Sequence, residues 1–244
     1  MPKFFLPPEE MQDNFMVLTG EQYQHAKVLR LKNGDAVTVC DGRGTDCRCV
    51  VSDVSEGRIS LVVQSRDVSL AEPTVQATVY MAFPKSDKLE HVIQKATELG
   101  AHAVVAFPSA RCVSRPDEKS LRKKLERWQK IAASAAEQSG RGRIPEVRVL
   151  SSYAAALSEA AKADLPVLFY ENERSRTFRA AIEGNPGFRS AALLTGPEGG
   201  LEESEVEAAE KAGLRICTLG SRILRCETAP LCALSALMYA AGEF

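Results

Sequence analysis

The chain has 244 residues, and its 31 basic and 32 acidic side chains give a net charge of −1 at pH 7. This near balance excludes a uniformly basic protein, so any contact with nucleic acid must come from a local cluster of cations. Hydrophobic residues make up 45% of the chain, which excludes a disordered protein. The apolar runs are too short to span a membrane, and the first stretch, MPKFFLPPEE, lacks the apolar core of a signal peptide.

The seven cysteines are scattered along the chain. They form no Cys-x-x-Cys pair, and no histidine lies close enough in sequence to complete a zinc-ligand pattern. We therefore expect reduced, mostly buried thiols, no metal, and a cytoplasmic protein without membrane attachment.

Residues 1–72 are expected to form a small β-barrel. Apolar pieces at Phe4–Leu6 and Phe15–Leu18 and three strand-like runs within residues 35–64 are separated by turn residues. Between them, GEQYQHAKVLRLKNGD predicts one short helix that ends near Gly34. A barrel of about six strands fits this pattern.

A second domain is expected over residues 73–244, because strands and helices alternate from there onward. Strands are expected at VQATVYMAF, AHAVVAFPS, LPVLFYEN, RSAALLT and RICTLG. Helices are expected at SDKLEHVIQKATELG, SLRKKLERWQKIAASAAEQSG, YAAALSEAAK, ESEVEAAEKAG and TAPLCALSALMYAAGEF. Thr228 occupies the N-cap position of the last helix. The alternation implies a largely parallel sheet covered by helices on both faces.

The stretch LLTGPEGGLEESE stands out, because three glycines and a proline follow a buried strand within Gly196–Gly200, with Glu198 among them. In open α/β sheets, ligands bind beyond the carboxyl ends of strands, and glycine allows the backbone to approach them closely. A ligand-binding loop is therefore predicted, with a tight turn that binds nothing as the alternative. We expect a valine at Gly199 to fill space meant for the ligand.

The sequence also limits which ligand this loop can bind. There is no phosphate-binding GxxxxGK motif, and the Gly42–Gly44 run leads into a strand, as in a hairpin turn. Four glutamates within residues 202–207 would repel an anion from the following helix. The ligand is therefore expected to be neutral or positively charged, such as a sulfonium or an amine.

A second unusual loop, LGSRILRCETAP at Leu219–Pro230, also follows a strand and opens a helix. If the two loops are neighbours, they form two walls of one pocket. Ile223 and Leu224 are apolar residues in this loop, and they either floor an adenine-sized pocket or pack beneath the loop.

Four segments in this order, KSDKLEHVIQKATELG, EQSGRGRIPEV, GPEGGLEESE and LGSRILRCETA, resemble the ribosomal small-subunit RNA methyltransferase E family of the SPOUT class. The resemblance extends from Lys85 to the end of the chain, and the amino-terminal part resembles that family's PUA-like barrel. It implies an α/β fold in which residues 1–72 form an RNA-binding PUA-like barrel. Residues 73–244 would form a SPOUT methyltransferase domain with a mainly parallel sheet and a trefoil knot near its end.

The same resemblance implies an activity: methylation of uridine N3 in 16S ribosomal RNA, or in the small ribosomal subunit, by a homodimer joined through the carboxyl-terminal domain. The cofactor would be S-adenosyl-L-methionine, held between the two loops. The residues implied in cofactor binding are Leu194, Thr195, Gly196, Pro197, Glu198, Gly199, Gly200, Leu219, Gly220, Ile223, Leu224, Arg225, Thr228 and Ala229. Cys226 stands where the family usually has threonine, which puts a side-chain role there in doubt.

Uridine N3 carries a proton and is a poor nucleophile until that proton leaves. A cation near the uracil oxygens would stabilise the charge that develops, and Arg225, with Arg222 second, is the candidate for this role. Either arginine could instead form a surface or dimer salt bridge. Glu198 is a candidate base or a partner for the amino group of the cofactor.

Local clusters of cations are candidates for RNA binding, although such a run is also typical of a solvated helix face. The residues chosen are Lys27, Arg30, Lys85, Arg111, Lys123, Lys124, Arg141 and Arg143, with Arg115 beside them.

Two other functions are compatible with the sequence. A non-catalytic RNA-binding protein would use the glycine loop only structurally. A nucleotide-dependent hydrolase or oxidoreductase is disfavoured, because the phosphate and dinucleotide motifs are absent from the sequence.

Overall fold

The computed structural model describes residues 1–114 and 116–244. The chain divides into two compact units. The first unit comprises Met1–Glu72 and Ala136–Ile144, and the second comprises Pro73–Ala135 and Pro145–Phe244. The segment from Ala136 to Ile144 joins the first unit although it lies far along the chain, an arrangement that the sequence did not indicate.

The described residues of the first unit form a mixed five-stranded sheet, one strand fewer than the pattern suggested. Its strands are β1 (Lys3–Phe5), β2 (Phe15–Leu18), β3 (Ala36–Cys40), β4 (Thr45–Ser55) and β5 (Arg58–Val68). Their order is β1-β3-β4-β5-β2; only the β1–β3 pair is parallel among these described strands. Cys47, Cys49 and Val51 alternate with exposed or half-buried residues along β4 and point into an apolar core, as the period of a strand requires.

Helix α1 (Gly20–Val28) ends earlier than expected. The chain leaves the helix at Leu29, and Arg30 adopts a positive φ of 56°. The prediction that this helix ends near Gly34 was therefore wrong, because the chain turns at Leu29 and Arg30, before it reaches this glycine.

Segment Ala136–Ile144 is held in the first unit by polar contacts, most of them at least partly buried. The Lys3 ammonium donates to the carbonyl oxygens of Gly140 and Arg141 at 2.9 and 3.1 Å. The Glu72 carboxylate accepts from the Arg141 guanidinium at 2.7 Å and from the Gly142 and Arg143 backbone N–H groups at 2.9 and 3.0 Å. Arg141 is 4% exposed, so its guanidinium is paired inside the protein and cannot reach an RNA phosphate. Its choice as an RNA-binding residue was wrong.

The described strands of the second unit form a six-stranded sheet in which every pair is parallel, in the order β11-β9-β10-β6-β7-β8. The strands are β6 (Gln76–Ala82), β7 (Ala103–Phe107), β8 (Glu146–Val149), β9 (Leu165–Phe169), β10 (Ser190–Thr195) and β11 (Arg215–Cys217). The helices are α2 (Lys88–Glu98), α3 (Glu118–Ser139), α4 (Tyr153–Ala160), α5 (Phe178–Glu183), α6 (Glu203–Lys211) and α7 (Thr228–Ala240). Helix α3 continues into the first unit from Ala136 onward.

The predicted parallel α/β arrangement is confirmed, and two short elements were missed. Strand β8 has four residues and helix α5 has six, which is too short for a periodic pattern to stand out. Leu89, Val92, Ile93 and Ala96 share the buried face of α2, as their spacing predicts. Helix α7 starts one residue later than expected, with Glu227 as N-cap and Thr228 as its first residue.

The register of the sheet brings three strand ends together. Strand β9 lies between β10 and β11, with Leu194 opposite Leu168 and Cys217 opposite Phe169. Since parallel strands end at the same edge, the loops after β9, β10 and β11 are neighbours there. No helix in the described part of the chain is both long and apolar enough to cross a membrane.

We predict that Glu72→Ala will lower the free energy of unfolding by about 3–5 kcal/mol, because it leaves the buried Arg141 guanidinium without its carboxylate. Urea unfolding of the variant and of the unchanged protein measures this. Glu126→Ala is the matched control, since Glu126 pairs with Arg122 on the surface at 3.8 Å and its loss should cost at most about 0.5 kcal/mol. Equal losses in the two variants would contradict the buried-pair interpretation.

Candidate active site

A cavity of about 590 Å³ lies in the second unit, at the edge where β9, β10 and β11 end. Its volume falls within the ~300–1,000 Å³ that small-molecule sites typically occupy. The residues that line it are Lys88, Phe169, Tyr170, Glu171, Thr195, Gly196, Pro197, Glu198, Gly199, Gly200, Thr218, Leu219, Gly220, Arg222, Ile223, Leu224, Arg225, Cys226 and Ala229.

The glycine loop, Gly196–Gly200, forms one wall of this cavity. Gly200 has a φ of 69°, a backbone conformation that favours glycine, whereas the exposed Glu171 carboxylate that a side chain there would meet can move aside. A side chain at Gly199 would meet Arg111 Cβ at 3.3 Å. The expectation that a valine at Gly199 fills ligand space was therefore wrong, because that position faces a neighbouring loop.

The outer side of the glycine loop is braced by contacts within the second unit. Arg111 donates to the Gly199 carbonyl oxygen at 3.0 Å. The Glu205 carboxylate accepts from the Glu202 N–H at 3.0 Å and from the Ala110 N–H at 2.9 Å. This carboxylate caps the start of α6, so the helix provides no positive end for a phosphate to approach.

Glu198 is part of a charged cluster at the cavity wall. Its Oε1 accepts from the Lys85 backbone N–H at 3.0 Å and lies 3.0 Å from Lys88 Nζ, which also lies 3.2 Å from Glu227 Oε2. Partial burial acts to raise the pKa of Glu198, but the Lys85 N–H and the Lys88 ammonium outweigh it and lower that pKa below its usual value. The pKa of Lys88 is raised, chiefly by the Glu198 contact and then by Glu227. A carboxylate with a lowered pKa is a weak proton acceptor, which disfavours Glu198 as a general base.

The loop after β11 forms the opposite wall. Arg222 and Arg225 are exposed, and in the described part of the chain their guanidinium groups form no ion pair. Ile223 is 77% exposed beside the cavity. Cys226 is buried, and burial, together with the hydrogen bond to Glu227, raises the pKa of its thiol to about 12, so it stays protonated. This wall therefore offers two unpaired cations and an apolar side chain to a bound molecule.

The structure brings together most of the residues predicted to bind a cofactor. Leu194 and Thr228 are not among those that line the cavity: Leu194 is fully buried in β10, and Thr228 is exposed at the start of α7. Sequence reasoning missed Lys88 and the third wall, Phe169–Glu171. The sequence could have predicted this third wall. LPVLFYEN is predicted as a strand, and ligands bind beyond the carboxyl ends of such strands.

The cations predicted to contact RNA differ in their surroundings. Two already have partners within the protein: Arg111 binds the glycine loop, and Arg141 is buried. Arg115 lies outside the described residues. The remaining side chains are exposed: Lys27, Arg30, Lys85, Lys123, Lys124 and Arg143. No cluster of three or more potential metal ligands occurs among the residues that the structure describes.

Two family profiles match the chain. Residues 71–238 match one described as an RNA methyltransferase domain, and residues 18–64 match one described as an RNA methyltransferase PUA domain. The first covers most of the second unit and includes the whole cavity. The predicted PUA-like domain at the amino terminus is confirmed by the second match.

Similar proteins of known name and structure extend this finding. The chain is 40% identical to ribosomal RNA small subunit methyltransferase E of Bacillus subtilis, over 91% of this chain and 89% of that protein. A crystal structure of ribosomal RNA small subunit methyltransferase E from Neisseria gonorrhoeae, bound to S-adenosyl methionine, is 31% identical with a TM-score of 0.87, covering 98% of this chain and 97% of that one. A protein from Legionella pneumophila, solved in complex with the same cofactor, is 29% identical with a TM-score of 0.86, covering 98% of this chain and 97% of that one. The chain therefore belongs to the ribosomal RNA small subunit methyltransferase E family.

Proposed function

We propose that this protein binds S-adenosyl-L-methionine in the cavity and methylates a uridine of 16S ribosomal RNA at N3. The observation that carries the proposal is the meeting of the two predicted loops, Thr195–Gly200 and Leu219–Ala229, around one cavity of about 590 Å³. Membership of a ribosomal RNA methyltransferase family and the cofactor in two similar structures support it.

The residues of the cavity suit a cofactor that is apolar at one end and charged at the other. Phe169, Ile223 and Leu224 offer apolar contact for a purine-like ring. Carboxylates at Glu171 and Glu198 border the same space and suit a positively charged group. When bound, S-adenosyl-L-methionine supplies an activated methyl group on a sulfonium, so the protein has mainly to orient the reactants.

Arg225 and Arg222 are the proposed catalytic residues. Their unpaired guanidinium groups beside the cavity can stabilise the negative charge that develops on uracil oxygens when N3 loses its proton. Because Lys88 and the Lys85 N–H stabilise the ionised form of Glu198, that carboxylate serves better as a fixed charge than as a proton acceptor.

RNA binding is proposed for the exposed cations of each unit. In the second unit these are Lys85, Lys123 and Lys124, the last lying 5.9 Å from the Trp128 ring centroid. In the first unit, residues 1–72 are proposed as the RNA-binding domain, with Lys27 and Arg30 as phosphate contacts, and Arg143, on the Ala136–Ile144 segment of the same unit, as a third. The target base must be unpaired or leave its stack for N3 to reach a buried methyl donor.

Three further properties are proposed from the resemblance of the chain to its family. They are a methyltransferase domain over residues 73–244 with a trefoil knot near its end, a homodimer through that domain, and a cytoplasmic location. Helix α7 is the proposed contact for this dimer, since Cys232 and Tyr239 are both exposed on a mainly apolar helix.

We predict that Ala229→Phe will raise the dissociation constant for S-adenosyl-L-methionine at least about tenfold, because a ring on this cavity-lining residue fills ligand space. Isothermal titration calorimetry without RNA measures the change. Ala208→Phe, on the exposed side of α6, is the matched control and should bind normally. If the unchanged protein itself fails to bind, the proposal is wrong and a non-catalytic RNA-binding protein is favoured.

We also predict that Arg225→Ala will lower kcat by about 10²–10³-fold, because charge stabilisation at the uracil oxygens is lost. Cofactor affinity should change far less. Methyl transfer to 16S ribosomal RNA, and separately to small ribosomal subunits, is measured by mass spectrometry of digested nucleosides. Arg189→Ala is the control, since Arg189 immediately precedes β10 at the opposite edge of the sheet. Equal losses of turnover and cofactor affinity would reassign Arg225 to cofactor binding.

A further inference from the structure

Lys88 binds both walls of the cavity at once. Its ammonium lies 3.0 Å from Glu198 Oε1, in the glycine loop, and 3.2 Å from Glu227 Oε2, at the end of the loop after β11. These side chains are 28%, 27% and 25% exposed, so the cluster is half-buried at the cavity wall. Two loops that are distant in sequence are thus joined through one cation.

The lysine is carried by a rigid element. Lys88 is the first residue of α2, and the next turns of that helix bury Leu89, Val92 and Ile93 in the core of the second unit. The glycine loop is intrinsically flexible, because three of its five residues are glycine. A fixed cation can therefore hold a flexible loop in one conformation, whereas two mobile loops paired with each other could not.

We propose that Lys88 is a positioning residue that holds the two walls in their cofactor-binding arrangement by binding one carboxylate from each. The inference rests on the proposed function, since it assigns a role within that cofactor site. Lys88 acts through Glu198 and Glu227, and the cofactor then meets a preformed cavity rather than one that must close on binding.

The charges of the cluster favour this arrangement. Partial burial acts to raise the pKa values of Glu198 and Glu227, but hydrogen bonds and the Lys88 ammonium lower both below the usual carboxyl range. Both groups are therefore ionised at neutral pH and can bind the ammonium together. The three side chains together therefore carry one net negative charge, so the ammonium is fully compensated and can hold both carboxylates.

The test compares Lys88→Met with Lys88→Arg and with the control Lys95→Met. Lys95 lies on the same helix and pairs with Glu98 at 2.8 Å, away from both loops. Without Lys88 the competent arrangement is populated only part of the time, so the dissociation constant for S-adenosyl-L-methionine should rise about tenfold or more in Lys88→Met. Lys88→Arg should stay within about threefold of the unchanged protein, because a guanidinium can bind two carboxylates.

Kinetics separate positioning from a direct catalytic role. In Lys88→Met the KM for the cofactor should rise in step with the dissociation constant, while kcat at saturating cofactor stays near its original value. Adding Lys88→Met to Glu198→Gln/Glu227→Gln should change binding no further, since the partners are already removed. A fall in kcat with unchanged KM, or a full effect of Lys88→Met in the double-glutamine background, would overturn the proposal.

Hydrogen exchange of the ligand-free protein gives a readout that does not depend on the cofactor. Lys88→Met should speed amide exchange in both loops, within 196–202 and 219–227, whereas Lys88→Arg and Lys95→Met should not. Unchanged exchange in Lys88→Met would overturn the positioning role even if cofactor binding is weakened. Failure of the unchanged protein to bind S-adenosyl-L-methionine would instead refute the proposed function, and loop exchange would still decide whether Lys88 joins the two walls.

Discussion

Parallel pairing of β9 with β10 and with β11 is the constraint on which the proposed site depends. Parallel strands end at the same edge of a sheet. The strand pairing alone therefore places the loops after these three strands next to each other, and no contact between the loops is required for this. Parallel strands need crossover connections, and helices in these connections cover both faces of the sheet, so Leu165, Val167, Leu193 and Leu194 are fully shielded from solvent. Hydrophobic burial therefore holds the three strands in place, and the loops that follow them are free to carry polar residues around the cavity.

Beyond the strand ends, polar contacts hold the loops in place. Arg111 braces the glycine loop from outside through the Gly199 carbonyl oxygen, and Glu205 closes the start of α6. On the cavity side, Lys88 joins the glycine loop to the loop before α7. Arg222 and Arg225 differ from these cations, because no ion pair within the described chain engages them. Paired charges thus hold the walls of the cavity, whereas the two unpaired guanidinium groups border it without such a partner.

The sequence predicted the features that depend on local pattern. Alternating strands and helices indicated the parallel sheet, and the concentration of glycine after β10 indicated the binding loop. Contacts between distant residues could not be predicted in this way. Arg141 lies in a Gly-Arg-Gly-Arg run that is typical of exposed nucleic-acid-binding segments, yet its carboxylate partner, Glu72, lies 69 residues earlier. Lys88 was missed for the same reason, and the direction of a Gly199 side chain depends on where Arg111 packs.

If the edge formed by β9, β10 and β11 holds the methyl donor, a crystal structure of the protein with S-adenosyl-L-methionine will show cofactor density between Thr195–Gly200 and Leu219–Ala229. The methyl group should face Arg225, and the Glu198–Lys88–Glu227 contacts should be retained. Cofactor density elsewhere on the chain, or an empty cavity at saturating cofactor, would contradict this placement.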